Sequence, residues 1–280
     1  MNKKKISVVR TTDEQIGMND IVTVYYSDKH MAVTKCNNIS DVPYRKLSEN
    51  RYLNVSNGQI KTIDKSENEI RSISSLRKTF SRLMNLISHN FFGGSSELFI
   101  TLTYNRKIKS DTVTKDIKNF WGRLSRFVEN YRVYKALFIT EFQNNHNIHL
   151  HVLLKRQDGS ALSFSELDIK SLWRNGSVDV TPIYDIDGLI QYFNPFLNKN
   201  KFDRLSYYKV NQKIFRCRGQ FTRPKKLKGT YADALKIAEA YNLKEYKSDS
   251  YDVVDRNNIT VNKITKINFK ENKNYESNKT

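Results

Sequence analysis

The stretch Glu141-Phe-Gln-Asn-Asn-His-Asn-Ile-His-Leu-His-Val-Leu-Leu154 contains three of the five histidines of this 280-residue chain. Two of them, His149 and His151, are separated by a single leucine within an apolar run. Side chains alternate between the two faces of a strand, so both imidazoles are predicted to lie on one face and the apolar neighbours on the other. Two imidazoles on the same face can bind a divalent metal ion.

A carboxylate is predicted to lie beside this histidine pair. If the chain reverses in a hairpin centred on Asn145, Glu141 is directly opposite His149, and opposed residues have Cβ atoms about 5 Å apart on the same face. Two imidazoles and one carboxylate leave coordination positions open for a substrate. This donor set suits Mg²⁺ or Mn²⁺ and tolerates Zn²⁺ or Co²⁺. His146, in the turn, is a further candidate ligand. The alternative is that the histidines simply pack at a strand end.

The hairpin lies within a longer alternation of strand and helix patterns. Apolar and β-branched runs predict strands, and apolar positions at helical spacing predict helices. In order these are a strand at Leu98–Tyr104, a helix from about Thr114, strands at 134–142 and 148–155, a helix at 164–173, a strand at 177–183 and a helix near Asp187. The order β-α-β-β-α-β predicts an α+β fold of the split βαβ type (ferredoxin-like or RRM-like), an antiparallel sheet with helices packed on one face. The site is expected on the open face.

The flanking sequence predicts further regions. Short strands are expected near the N-terminus, best at 21–26, followed by a helix over 73–87, and a Gly-Gly-Ser-Ser segment at 93–96 opens the main domain. A lysine- and asparagine-rich composition predicts a loosely ordered end. The predicted regions are 1–92, strands and helix; 93–230, the main domain; 231–256, a helical extension; and 257–280, a basic, loosely ordered tail.

The chain carries 48 lysines and arginines against 29 aspartates and glutamates, a formal net charge of +19. Such an excess attracts polyanions and favours nucleic acid, with a membrane surface as the lesser option. The alternative is that the lysines reflect base composition and serve solubility. DNA is therefore the expected partner, at the open face of the sheet.

Other features bear on the compartment. No apolar run approaches the ~20 residues that cross a bilayer, and the basic start is not followed by the apolar segment of a secretory signal. Cys36 and Cys217 have no partner spacing, which predicts free thiols in a reducing cytosol. The chain is predicted to be cytoplasmic, without a membrane partner.

Residues 201–228 combine cations with aromatic rings. The cations are Lys201, Arg204, Lys209, Lys213, Arg216, Arg218, Arg223, Lys225, Lys226 and Lys228, and the rings are Tyr207, Tyr208, Phe215 and Phe221. Cations along the backbone and rings for base stacking suit single-stranded DNA. The alternative is a solvated, charged loop.

Several segments resemble the HUH endonucleases, and above all the rolling-circle replication initiators of small bacterial plasmids and single-stranded-DNA phages. His149-Leu-His151-Val-Leu-Leu resembles the His-hydrophobe-His motif of that family. Leu98–Tyr104 is similar to its first motif, a strand that ends in Thr-Leu-Thr-Tyr, and Glu141 stands where relatives have a third metal ligand. The resemblance spans about residues 70–228.

Two more segments extend the resemblance. Leu172-Trp-Arg-Asn-Gly-Ser-Val178 is similar to the segment that precedes the active-site helix, and the basic stretch 215–226 is similar to one that follows it. The resemblance implies an α+β nuclease domain whose DNA contacts include Tyr104, Arg216, Arg218, Arg223, Lys225 and Lys226.

The nucleophile of the family is a tyrosine in a motif commonly written Tyr-x-x-Lys-Tyr-x-x-Lys. Here the stretch is Tyr192-Phe-Asn-Pro-Phe-Leu-Asn-Lys199, so Tyr192 matches the first tyrosine and Lys199 the second lysine. Pro195 and Phe196 replace the other two residues, which excludes a two-tyrosine shuttle within this motif. Proline also predicts a helix that is kinked or starts late. The other candidate nucleophiles are Tyr184, Tyr207 and Tyr208.

The resemblance implies a replication initiator that nicks and rejoins single-stranded or hairpin origin DNA through a 5′-phosphotyrosyl intermediate, with Mg²⁺ or Mn²⁺. A transposase or relaxase would use the same chemistry. A DNA-binding protein that has lost nicking is the alternative from another class. No phosphate-binding loop of the Gly-x-x-x-x-Gly-Lys-Ser/Thr type is present, so a host helicase and polymerase are expected as partners.

Overall fold

The computed structural model describes residues 7–12, 14–37, 44–48, 51–54, 57–62, 71–143, 147–195, 203–254 and 259–272. The strands are β1 (Ser7–Thr11), β2 (Ile21–Tyr26), β3 (His30–Cys36), β4 (Tyr44–Lys46), β5 (Arg51–Asn54), β6 (Ile60–Thr62), β7 (Gly94–Thr103), β8 (Tyr134–Phe142), β9 (Ile148–Arg156), β10 (Val178–Ile183), β11 (Phe215–Arg218), β12 (Lys225–Thr230), β13 (Leu243–Val254) and β14 (Thr260–Glu271). The helices are α1 (Ile73–Ser88), α2 (Ser110–Phe127), α3 (Glu166–Trp173), α4 (Ile186–Phe193) and α5 (Tyr231–Ala240), with 3-10 turns at Tyr131–Val133 and Arg204–Tyr207.

The chain folds as two compact units. One unit is continuous and comprises residues 65–222, and the other combines residues 1–64 with 223–280. The first is called the continuous unit below and the second the two-segment unit. None of the helices among the described residues is long and apolar enough to cross a bilayer.

A five-stranded sheet of order β10-β7-β9-β8-β11 forms the centre of the continuous unit, and all its pairings are antiparallel. Strands β7 to β10 with helices α2 and α3 follow the order β-α-β-β-α-β. The predicted α+β class and split βαβ arrangement are therefore confirmed. Strand β11 extends the sheet beyond β8.

Helices α2 and α3 cover one face of this sheet because their apolar side chains recur at helical spacing. In α2, Val113, Ile117, Phe120 and Leu124 are at most 1% exposed. The Phe120 ring lies 5.9 Å from the ring of Phe138 on β8, centroid to centroid. Ser165 caps α3 in a capping box with Asp168, which fixes where that helix begins.

The opposite face is only partly open. Helix α1 and helix α4 pack over it, and Phe80 of α1 and Phe193 of α4 line a common pocket with Ile139 and Glu141 of β8. Leu137 and Leu153 on this face are fully buried. The sequence assigns the helix at 73–87 to the N-terminal region, but α1 packs in the core of the continuous unit.

The two-segment unit contains a six-stranded antiparallel sheet of order β1-β13-β14-β3-β2-β12 and a separate sheet of order β4-β5-β6. Helix α5 packs on one face of the larger sheet against a core that includes Val24, Met31, Val33, Ile267 and Phe269.

Two predictions for the C-terminal part are wrong. The helical extension predicted for 231–256 is helical only as far as Ala240, and the rest contains β13. The tail predicted to be loosely ordered from residue 257 contains β14, which pairs with β13 and β3. Pairing with strands distant in sequence supplies the apolar contacts that a lysine-rich segment cannot supply locally.

Candidate active site

The hairpin of β8 and β9 has the predicted register. Glu141 pairs directly with His149, and Ile139 pairs with His151. Side chains at these positions lie on the face of the sheet opposite α2 and α3, because Phe138 and Leu150 occupy the alternate positions and are fully buried on the helix side. The candidate ligands Glu141, His149 and His151 therefore share one face. His146 lies outside the described residues.

Glu141 and His151 form the closest pair in the site. The Nε2 atom of His151 lies 2.8 Å from Oε2 of Glu141, a hydrogen bond that takes on ionic character when the histidine is protonated. The imidazole is also stacked on the ring of Phe99 at a centroid distance of 5.3 Å and an interplanar angle of 14°. The hydrogen bond and the stacking both restrict the orientation of the His151 ring.

Two threonines of β7 contact the other nitrogens of the histidines. Thr101 pairs with His151 and Thr103 with His149 across β7 and β9. The Thr101 Oγ1 atom is 3.2 Å from Nδ1 of His151, and the Thr103 Oγ1 atom is 3.4 Å from Nδ1 of His149. Because each Nδ1 is engaged, Nε2 is the nitrogen each ring presents for coordination, the usual role of a second layer of hydrogen bonds behind a metal site.

The donor chemistry suits a divalent metal ion. Burial, and then the proximity of His151, lowers the pKa of His149, which favours the neutral imidazole that metal binding requires. Over the ranges that the structure describes, no three His, Cys, Asp or Glu side chains already converge as a metal cluster. Glu141 and His151 converge as a pair, with His149 beside them in the sheet.

Helix α4 brings the predicted nucleophile to this pair. The Tyr192 hydroxyl lies 3.4 Å from Nε2 of His151 and 3.5 Å from Oε2 of Glu141. The helix begins at Asp185, whose carboxylate accepts a hydrogen bond from the backbone N–H of Gly188. Tyr192 is in its last turn and is 41% exposed, so its hydroxyl is at the site while part of its ring faces solvent.

The environment disfavours the phenolate of Tyr192. Burial, together with the negative charge of Glu141, raises its pKa to about 12. A phenolic oxygen in this position therefore needs a positive charge nearby before it can act as a nucleophile.

Arg204 is the cation that the structure brings to the site, and the sequence did not single it out from the other cations of 201–228. One of its guanidinium nitrogens is 3.6 Å from Oε1 of Glu141 and donates to the carbonyl oxygen of Phe142 at 3.3 Å. Its charge lowers the pKa of Tyr192, which partly opposes the effects of burial and Glu141.

Proline ends helix α4 instead of kinking it or delaying its start. The helix runs from Ile186 to Phe193, and Asn194 is extended (φ −89°, ψ 97°), as expected for a residue that precedes proline. Pro195 is buried and lines a pocket with Glu141 and Arg204. Residues 196–202 lie outside the described residues, and with them the predicted catalytic residue Lys199.

The remaining candidate nucleophiles lie in other surroundings. Tyr208 is buried and donates to the carbonyl oxygen of Thr140 at 2.9 Å, and burial raises its pKa further than that of Tyr192. Tyr184 is 86% exposed. Tyr207 packs edge-on against Phe142. Among these tyrosines, Tyr192 is the one whose hydroxyl meets both Glu141 and His151.

The backbone next to the site is held by the segment between α3 and β10. The indole Nε1 of Trp173 donates to the carbonyl oxygen of Thr103 at 3.1 Å, and the backbone N–H of Thr103 donates to the carbonyl of Ser177 at 2.9 Å. A Cβ atom at Gly176 would overlap the carbonyl oxygen of Thr103. Only glycine lets the two segments approach this closely.

The predicted DNA contacts lie in different places. Tyr104 is 9% exposed and packs edge-on against Trp173 on the helix side of the sheet, which leaves it little surface for DNA. Arg216 is half-buried and donates to Thr114 of α2 at 2.8 Å, and burial lowers its pKa. Arg218 is half-buried on β11. The others, Arg223, Lys225 and Lys226, are exposed and belong to the two-segment unit.

Comparison with known proteins identifies one similarity. No curated protein and no solved structure matches the chain. Residues 97–201 match a family model of replication-associated proteins, the ORF2 type. The matched segment contains β8, β9 and α4, and thus Glu141, His149, His151 and Tyr192. The part of the chain that carries the candidate active site is therefore similar to Rep-type, replication-associated proteins.

Proposed function

We propose that this protein nicks and rejoins single-stranded DNA at a replication origin, with Tyr192 as the nucleophile. The observation that carries the proposal is the position of the Tyr192 hydroxyl, within 3.5 Å of both Glu141 and His151. Similarity to replication-associated proteins over residues 97–201 supports the origin as the substrate.

In this proposal Glu141, His149 and His151 hold a divalent metal ion, Mg²⁺ or Mn²⁺, and His149 joins the existing pair when the ion binds. Bound there, the ion would polarise the scissile phosphate and offset its negative charge. The threonines behind the two histidines keep each Nε2 available for this role.

The protein residues act on the reacting oxygen atoms. The Tyr192 oxygen forms a bond to phosphorus while the bond from phosphorus to the 3′-oxygen breaks, and the released 3′-oxygen takes up a proton. This leaves a 5′-phosphotyrosyl link that conserves the bond for later rejoining by a 3′-hydroxyl. Arg204 stabilises the phenolate as the Tyr192 proton leaves, because its charge opposes that of Glu141.

The proposed surroundings of the reaction follow from the same sequence. Host helicase and polymerase act with the protein, since the chain has no phosphate-binding loop of its own. Cys36 and Cys217 are both free thiols, as suits a cytoplasmic protein. A transposase or relaxase built on the same chemistry would differ in its DNA target.

A covalent-adduct assay tests the proposal. The full chain is incubated with single-stranded DNA that carries candidate origin sequences and Mn²⁺, then run on a denaturing protein gel. A band shifted by the mass of the attached DNA fragment is expected, and it is expected to disappear in Tyr192→Phe. Tyr184→Phe is the matched control and should form the adduct normally. Intact DNA binding without any adduct would instead favour a binding protein that has lost nicking.

A further inference from the structure

The larger sheet of the two-segment unit has two different faces. Helix α5 covers one of them, and the alternate side chains of β2 and β3 on that side, Val22, Val24, Met31 and Val33, are at most 1% exposed. On the other face of the same strands, Thr23, Tyr25, Ala32 and Thr34 remain partly exposed. No helix of the described residues packs against that second face in the manner of α5.

Lysines gather on this second face. The register joins Lys228 to Thr23, Thr23 to Thr34, and Thr34 to Lys266, so one transverse row of the sheet carries a lysine at each end. In the next rows Lys226 pairs with Tyr25 and Lys270 with His30. We call the exposed set Lys226, Lys228, Lys266 and Lys270 the lysine face.

The lysines of the two faces differ in their partners. On the α5 side, Lys35 lies 2.6 Å from Asp20 and Lys263 lies 2.6 Å from Glu14, and both are ion pairs. No member of the lysine face has a carboxylate partner among the described residues. The acid nearest to it in register, Asp249, is engaged by Arg10 at 2.9 Å and Lys247 at 3.8 Å.

This arrangement costs stability in the free protein. Lys270 is directly opposite Lys244 in the pairing of β13 with β14, and opposed like charges destabilise a sheet. An anionic ligand would remove that repulsion. Two rings lie beside the cations, since the Lys226 ammonium is 5.7 Å from the ring of Tyr25 and the Lys270 ammonium is 4.6 Å from that of Tyr246.

We propose that the lysine face binds the phosphate backbone of single-stranded DNA, as a contact surface separate from the candidate active site. The inference rests on the proposed function for the identity of the polyanion. Lys228 and Lys266 stand on strands separated by three inter-strand spacings, about 14 Å, so the row spans more than one phosphate. Tyrosine rings among the cations favour an unpaired strand, whose bases can stack.

The salt dependence of binding tests this proposal. Affinity of the full chain for a labelled oligodeoxythymidine of about 20 nucleotides is measured over a range of salt concentrations, because each phosphate contact on a single strand contributes about 0.7 to the slope of log K against log salt. Lys228→Gln/Lys266→Gln is expected to lower the slope by about 1.4. Lys228→Arg/Lys266→Arg should keep the slope of the unmodified protein.

The matched control removes two lysines from the α5 side of the same unit. Lys225 is the neighbour of Lys226 with the opposite orientation, and Lys236 is an exposed residue of α5. Lys225→Gln/Lys236→Gln should leave the slope nearly unchanged. Equal losses of slope in both double variants, or no loss in either, would overturn the proposal, as would a loss confined to a duplex probe.

Adduct formation through Tyr192, followed in parallel, separates this inference from the proposed function. If the unmodified protein forms no adduct but the slope falls only in Lys228→Gln/Lys266→Gln, the lysine face binds DNA and the nicking proposal fails. If the adduct forms and the slopes are equal, nicking stands and the lysine face does not bind DNA.

Discussion

Oγ1 of Thr101 lies 3.2 Å from Nδ1 of His151, and the two residues are direct neighbours across β7 and β9. Thr103 and His149 repeat this relationship two residues further along the chain. Strand β7 therefore supplies a layer of hydroxyls behind both imidazoles. Such a layer fixes the ring orientation and decides which nitrogen faces a ligand.

Replacing both hydroxyls tests this layer. Thr101→Val/Thr103→Val keeps the shape of the side chains and is expected to weaken Mn²⁺ binding by about 10–100-fold, the usual effect of losing hydrogen bonds behind a metal site. Titration calorimetry with Mn²⁺ measures the change. Thr181→Val, on neighbouring β10, is the control and should bind as the unmodified protein does. Unchanged affinity in the double variant would show that the threonines do not orient the histidines for metal.

The histidines themselves are expected to be indispensable for cleavage. His149→Ala/His151→Ala should abolish metal-dependent nicking, because it removes two of the three proposed ligands, while DNA binding changes little. Nicking is followed on denaturing gels and DNA binding by fluorescence anisotropy. Cleavage equal to that of the unmodified protein would refute the metal assignment. Glu141→Gln, which keeps the size of the side chain, should also impair nicking.

Arg204 is expected to contribute through its charge. Arg204→Gln should slow adduct formation by about 100-fold, the order seen when one stabilising group is removed from a developing charge. Arg204→Lys should recover part of this loss, and so should added guanidinium ion with Arg204→Gln. Rates at saturating DNA separate this effect from weaker binding. Arg156→Gln removes an arginine that pairs with Asp158 at the far end of β9, and it should react normally.

Gly176 is expected to be intolerant of a larger side chain. In Gly176→Ala the new methyl group meets the carbonyl oxygen of Thr103, and overpacking of this kind costs about 1–3 kcal/mol. Urea unfolding measures the loss. Gly122→Ala is the contrasting variant: it lies within helix α2 with open space around it, and it should gain about 0.5–1 kcal/mol. A stable Gly176→Ala protein would show that this approach can relax.

The sequence was informative where geometry is local. The pairing of Glu141 with His149 follows from the length of one short turn, and helix α2 follows from the spacing of its apolar residues. Thr101 and Thr103 share a face for the same reason as the histidines. Their register against β9, however, depends on a pairing between strands separated by about 50 residues, which no local pattern specifies.

Residues brought together by tertiary structure were not predictable. Arg204 was one of several cations in a basic stretch, and its position beside Glu141 depends on the path of the chain after Pro195. Strand β14 was missed because lysine and asparagine are common in disordered segments. Its alternating Ile267 and Phe269 side chains pack only after β14 has paired with β3 and β13.

The pairing of β14 with β3 also has a consequence for synthesis of the protein on the ribosome. Every strand of the continuous unit has been translated by Arg218, so that unit can fold while the chain is still growing. The larger sheet of the two-segment unit must wait for Glu271, because β14 lies between β3 and β13 and joins the two halves of that sheet. The nascent protein would thus complete its tyrosine site before it completes its lysine face.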